Sequence, residues 1–373
     1  MLAEFLNNVT HNLFKPLLLF FYLGFAVPLL RVPFEFPRGL YKALTIYLLI
    51  AIGWHGGEEL ASLQPSELGM AFGFMGVGFV INTFIGFTAY LFLRKFTPIR
   101  QVDAAAVAGY YGSDSAGTFV TALGVLTAAQ IAYAAYMPVM LAVMEIPGCL
   151  VALLLVASLR RKGMDRRGNM PDEQGYEGSG GSPVAKGPLL SKEILHEVFL
   201  NPGLYLLLGG ILIGFVSRLQ GVSVTQVDDR FFVDLFHGFL CLFLLEMGIT
   251  ASERLRDLKS AGWRFVLFGL LAPNLFAFIG ISAAFGYSKL TGHPLELGTY
   301  VLFSVLCAAA SYIAVPAIQR IAFPEASPTL PLAASLGLTF SYNVTIGIPL
   351  YMLIAETLTG ATATGHAVAG ALP

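Results

Sequence analysis

Long, unbroken apolar runs dominate this chain, most of them near the ~20 residues a helix needs to cross ~30 Å of hydrocarbon. Ten are read at about Leu13–Leu30, Leu40–Trp54, Leu68–Leu93, Val102–Leu126, Ala134–Leu159, Pro202–Leu219, Phe231–Thr250, Gly262–Leu290, Leu297–Ile321 and Leu332–Leu358. A backbone in lipid must satisfy its own polar groups, so only helices or a closed barrel can span. Barrel strands alternate apolar and polar residues in segments of about ten, and these runs do not alternate. The reading is an all-α integral membrane protein with ten transmembrane helices. Composition agrees. Of 373 residues, 56% are apolar and 12% are charged, against roughly 25% charged in soluble proteins, and mean hydropathy is +0.73. These values exclude a water-soluble enzyme, a nucleic-acid binder and a disordered tail. Cys149, Cys241 and Cys307 lie in apolar runs without metal-ligand spacing and read as small hydrophobes.

Basic residues mark the cytoplasmic side of a membrane protein. With the N-terminus outside, the inside loops carry 18 Lys and Arg and the outside loops four. The bias alternates correctly through every loop and puts both termini outside a plasma membrane, a bacterial inner membrane in this reading. No small-residue cleavage site follows the first run, so Pro28–Pro33 reads as a membrane exit rather than the end of a signal peptide.

A polar stretch from Arg160 to about Ser191, rich in Gly and Ser at 175–183, reads as a flexible cytoplasmic linker. It is a solvated loop or a regulator's docking site. It divides the chain into a first repeat (1–159), a linker (160–201) and a second repeat (202–373). Five spans per half make the halves enter from opposite sides, an inverted repeat as in many secondary transporters. Matching motifs support this: Ile52–Leu60 with Met247–Leu255, Asn82–Gly86 with Asn274–Gly280, and Glu145–Gly148 with Gly347–Leu350.

The fourth span of each half is expected to be discontinuous. Gly109, Gly112, Ser113, Asp114, Ser115 and Thr118 cluster at mid-depth in the first, and Ser311 and Pro316 interrupt the ninth span. Glycine weakens a helix and proline removes a backbone bond. Such breaks survive in a membrane only inside protein or along a wet cavity. Half-helix N-termini can face an anion there, and freed carbonyls a cation. Small residues also serve close helix packing, but packing needs no carboxylate. Asp114, Glu145 and Glu246 lie inside spans and are site candidates by location. Glu145 precedes Pro147, which suits an oxygen-lined sodium site; coupling to H⁺ is the other chemistry. Glu246 also reads as a residue snorkelling to a rim, and Glu356, His55 and His237 as interfacial. Ser341, Tyr342, Asn343 and Thr345 before Gly347 and Pro349 describe a lined cavity or a helix interface.

Tyr111–Phe119, Met144–Pro147, Leu244–Gly248 and Asn343–Tyr351, with the mid-chain linker, make the chain resemble the SbtA family of sodium-dependent bicarbonate transporters over nearly its whole length. The resemblance implies ten helices in a five-plus-five inverted repeat. The first two helices of each half form a gate domain and the others a mobile, elevator-like core. It also implies a homotrimer, Na⁺-coupled bicarbonate import, and inhibition by a cytoplasmic PII-like protein. Carried over, the anion site involves Gly112, Ser113, Ser115, Thr118 and Ser311. The sodium site involves Glu145, Asn343 and Thr345; by its place inside a span Asp114 joins them as a coupling candidate, and Asn82 and Asn274, matched between the repeats, are further candidates. Asp114 stands where cyanobacterial members usually have a neutral residue, and Glu145 where they have an aspartate.

The functional expectation is Na⁺-coupled import of bicarbonate or a related small anion by alternating access, with Na⁺ as coupling ion and no other cofactor. The alternatives are H⁺- or Na⁺-coupled transport of another small solute, and a channel or membrane receptor. An intramembrane aspartyl protease needs two carboxylates together at mid-depth; Asp103 lies at the membrane edge, eleven positions from Asp114.

Overall fold

The computed structural model describes residues 14–63, 65–178, 196, 202–255, 258 and 261–361. Among these, every regular element is a helix. Six helical stretches are long and apolar enough to cross a membrane: Leu68–Phe96, Met137–Arg161, Pro202–Gln220, Val222–Arg254, Trp263–Thr291 and Leu330–Thr359. Pro16–Leu30 and Leu297–Ala308 are shorter apolar helices.

In chain order the first half comprises α1 (Pro16–Leu30), α2 (Arg38–Ala61), α3 (Pro65–Phe96), α4 (Gln101–Tyr111), α5 (Ala116–Ala128), α6 (Met137–Met144) and α7 (Ile146–Arg161). The second comprises α8 (Pro202–Gln220), α9 (Val222–Phe232), α10 (Phe236–Arg254), α11 (Trp263–Thr291), α12 (Leu297–Ala308), α13 (Ala314–Ala322) and α14 (Leu330–Thr359).

Two helix pairs cross between the halves: α1 lies along α10 and α2 along α8. Small residues allow both approaches. A Cβ on Gly24 would strike the Leu245 backbone, and one on Gly53 would strike the backbones of Leu207 and Gly210.

The chain centre is made of α4, α5 and α12. Every residue from Gln101 to Leu126 is buried except Ala116, and so is every residue of α12. A helix that is apolar all round, with many alanines, belongs inside a bundle. By contrast α1, α3, α8 and α11 turn residues such as Leu23, Leu91, Leu212 and Leu271 outward.

Several expected spans are subdivided. The fourth is split between Tyr111 and Ala116, and the ninth between Ala308 and Ala314. The fifth starts at Met137 and is interrupted at Glu145, because Pro147 in the first turn of α7 has no N–H to continue the ladder. The seventh starts at Phe236, after the separate α9. The last carries π-type turns over Ala333–Phe340 and Asn343–Gly347, a geometry frequent at functional sites.

The stretch expected to be a flexible linker is folded through residue 178. Asp165, 1% exposed, accepts backbone N–H bonds from Arg167, Asn169 and Glu177 at 2.8–2.9 Å. Glu173 accepts from the backbone N–H of Gln101 at 2.7 Å, so a linker carboxylate caps the positive N-terminus of α4. Residues 179–195 and 197–201 of the expected linker lie outside the described residues.

A further network ties this end together. Arg160 donates to both Glu325 carboxylate oxygens at 2.9 Å and to the Ala322 carbonyl at 2.8 Å. Arg100 is bidentate on Asp103 at 2.8 and 3.0 Å, and Asp103 accepts from the Ser327 N–H at 2.7 Å.

Candidate transport site

The two broken spans meet. The Ser311 backbone N–H, in the second break, donates to the Tyr110 carbonyl at the end of α4, 2.8 Å away. Helix α5 starts out of the first break and α13 out of the second. Both therefore open positively polarised N-termini at the junction. Ser115 caps α5: its Oγ accepts from the Thr118 N–H at 3.3 Å and from the Thr118 hydroxyl at 2.9 Å. Tyr312 follows Ser311 and lays its hydroxyl on the first turn of α5, where a Cβ on Gly117 would strike it. Its ring packs edge-on to Phe340 at 6.0 Å.

The first break also meets the interruption at Glu145. Ser113 Oγ donates to the Glu145 carbonyl at 2.8 Å, and Asn82 Nδ2 donates to the Met144 carbonyl at 3.0 Å. Close backbone approach makes this possible. A Cβ on Gly148 would strike the Gly109 carbonyl and crowd the Ser113 nitrogen, and one on Gly112 would crowd Gly86.

Asp114 is 2% exposed, and its Oδ2 has no hydrogen-bond partner. The Asn82 Oδ1 is likewise buried and unpartnered. Glu145 and Cys307 lie within electrostatic range of the Asp114 carboxylate. The first break thus gathers acceptor oxygens with no donor to satisfy them. An unsatisfied buried polar group costs about 1–3 kcal/mol, and more when charged. A small cation or a proton is the chemistry that such a set accepts.

The expected site residues fall into separate groups. Gly112, Ser113, Asp114, Ser115 and Thr118 line the first break, with Asn82 and Glu145 beside it and Ser311 joined through Tyr110. Asn343 serves the second break: its Nδ2 donates to the Ala308 carbonyl at 3.0 Å, and its Oδ1 accepts from the Tyr351 hydroxyl at 2.7 Å. The Thr345 hydroxyl donates to the Ser341 carbonyl of its own helix at 2.6 Å. Asn274 is apart from these contacts, accepting from the Tyr342 hydroxyl at 2.7 Å and donating to the Leu270 carbonyl at 3.1 Å. Glu246 is half-buried and accepts from the Thr250 hydroxyl at 3.1 Å. His55 pairs with Glu59 at 3.1 Å.

Several participants carried no signal of their own. Tyr111 donates to Thr339 at 2.6 Å, and Thr339 donates to the Gly269 carbonyl at 3.1 Å, joining α4, α14 and α11. Tyr110 donates to Gln319 at 3.0 Å. The tyrosines at 110 and 111 directly precede Gly112, and that position was the available clue.

A helical membrane protein whose two discontinuous helices cross in its buried centre, with helix N-termini and an unsatisfied carboxylate at the crossing, has the build of a solute transporter. The chain belongs to the Na⁺-dependent bicarbonate transporter superfamily, whose family model matches residues 16–356. It is a multi-pass membrane transporter and not an enzyme. Comparison with curated proteins gives no match.

Proposed function

We propose that this chain imports bicarbonate, or a closely related small anion, together with Na⁺ by alternating access. The observation that carries the reading is the unsatisfied Asp114 carboxylate at the mouth of α5. The α5 and α13 N-termini attract an anion, while Asp114 and Glu145 repel it. A cation at the carboxylates removes the repulsion and completes the anion site. Each ligand then raises the affinity for the other by the same factor. In this reading Gly112, Ser113, Ser115, Thr118 and Ser311 bind the anion. Asp114 and Glu145 bind Na⁺ with Asn82, while Asn343 and Thr345 shape the second break.

The architecture proposed is a five-plus-five inverted repeat. The cross-paired α1, α10, α2 and α8 form the gate. The remaining helices form a core that moves as a body, held together at one end by Arg100, Arg160 and Glu325. The linker end is the cytoplasmic face, the termini are outside, the membrane is a bacterial inner membrane and the assembly is a homotrimer. A PII-like regulator docks from the linker side.

Titration calorimetry with bicarbonate, in Na⁺ and in K⁺, tests the coupling. Binding at least tenfold tighter in Na⁺ supports it, and equal affinities reject it. Protonation of Asp114 or Glu145 in place of Na⁺ binding is the H⁺-coupled reading. In that case affinity follows pH at fixed K⁺ and ignores Na⁺.

A further inference from the structure

An apolar groove of ≈ 560 Å³ lies between the end of α3 and the start of α11, lined by Lys95, Arg264, Leu267, Phe268, Leu271 and Phe276, among others. The two helices run in opposite directions. At their other end Tyr287 donates to the Met70 carbonyl at 2.8 Å and packs on Phe74. The groove therefore opens at the linker end, the same end as Arg100 and Arg160.

Its two cations sit at its mouth. Lys95 Nζ lies 5.4 Å from the centre of the Phe96 ring, and the Arg264 guanidinium 5.6 Å from that of Trp263. Among the described residues neither cation forms an ion pair. Below them the outer wall is exposed and apolar: Leu267 is 44% exposed and Leu271 57%. Trp263 is 70% exposed, as suits a residue at a membrane interface.

We infer that this groove binds an anionic phospholipid. The acyl chain lies along Leu267, Leu271 and Phe268, and the headgroup phosphate is held by Lys95 and Arg264. Charge complementarity selects this occupant: a basic mouth on an apolar slot facing hydrocarbon matches an anionic amphiphile and not a neutral one. The groove also reaches the transport site. Phe268 and Phe276 pack edge-on to Tyr111, with ring centres 5.0 and 6.2 Å away, and Tyr111 ends α4 at the first break. An acyl chain in the groove presses on the back wall of that break.

Native mass spectrometry of the full chain, purified with dioleoylphosphatidylglycerol or dioleoylphosphatidylcholine, tests the inference and does not depend on what the protein transports. The expected result is retention of one phosphatidylglycerol per chain under activation that strips phosphatidylcholine. K95Q/R264Q reduces that retention at least fivefold, while K289Q, which removes a cation on the opposite end of α11, leaves it unchanged. Equal retention of the two lipids by the unsubstituted chain overturns the inference, as does equal phosphatidylglycerol retention by the chain and K95Q/R264Q. L271W is the second variant. It fills the groove from an exposed position with both cations intact, and must also lower retention; unchanged retention overturns the inference.

Discussion

The Tyr110 carbonyl and the Ser311 N–H, from opposite halves of the chain, form a 2.8 Å hydrogen bond where the two broken helices meet. A main-chain bond therefore registers one break against the other, beside the side-chain bond from Tyr110 to Gln319. S311P deletes the donor and leaves a buried carbonyl unpaired, at about 1–3 kcal/mol. S311A keeps the donor. The expected outcome is a clear drop in thermal midpoint for S311P and little change for S311A, read in detergent. Equal midpoints for the two variants contradict the role given to this bond.

Asp114 places a buried carboxylate oxygen with no hydrogen-bond partner at the first break. D114N removes that charge at similar volume. Wild type is expected to gain thermal stability as Na⁺ replaces K⁺, because a ligand that binds only the folded state stabilises it by mass action. D114N is expected to lose the Na⁺ response while remaining folded. Retention of the full response by D114N moves the cation elsewhere.

The Arg160–Glu325 pair is buried, with side chains 10% and 6% exposed. Removing one member of such a pair strands the other charge and typically costs about 3–5 kcal/mol. R160A and E325A are each expected to lower stability strongly. R160M/E325L should be milder than the sum of the two, as a double-mutant cycle on thermal or urea unfolding will read.

Asp165 organises the folded part of the linker. Burial under its own loop pushes its carboxyl upward, but the backbone N–H groups of Glu177, Asn169 and Arg167 outweigh this and hold it below the usual carboxylate range. A depressed folded value means the loop gains stability above the unfolded value of about 3.9 and loses it as pH falls through the folded one. Hydrogen exchange at 163–178 is therefore expected to speed up in acid below about pH 4 relative to D165N, in which the loop is loosened at every pH. A loop with the same pH response in wild type and D165N contradicts this role.

How much of this was legible follows from what each residue signals alone. The breaks at 112–115 and 309–313 were visible because polar and small residues interrupt apolar runs, which is costly in lipid unless buried. The interruption at Glu145 was visible in Pro147. That Ser311 faces the first break was implied only by the family resemblance, and the main-chain bond that joins the breaks carried no signal, since it links residues far apart in sequence. The π-type turns of α14 were hidden because Ala333–Phe340 reads as an ordinary apolar helix. The described part of the linker, up to residue 178, misled for a compositional reason: glycines and charges suggested a flexible chain, whereas Asp165 and Glu173 spend their carboxylates on backbone donors. Asn343 and Thr345 have the right chemistry for a cation, and in the structure their side chains also hydrogen-bond to Tyr351, Ala308 and Ser341.

Coupling of anion movement to Na⁺ is best tested by uptake of labelled bicarbonate into proteoliposomes with an inward Na⁺ gradient, against liposomes with equal Na⁺ on both sides. Accumulation above the external concentration only with the gradient, lost in D114N, is the result expected. Equal uptake in both conditions contradicts Na⁺-coupled import.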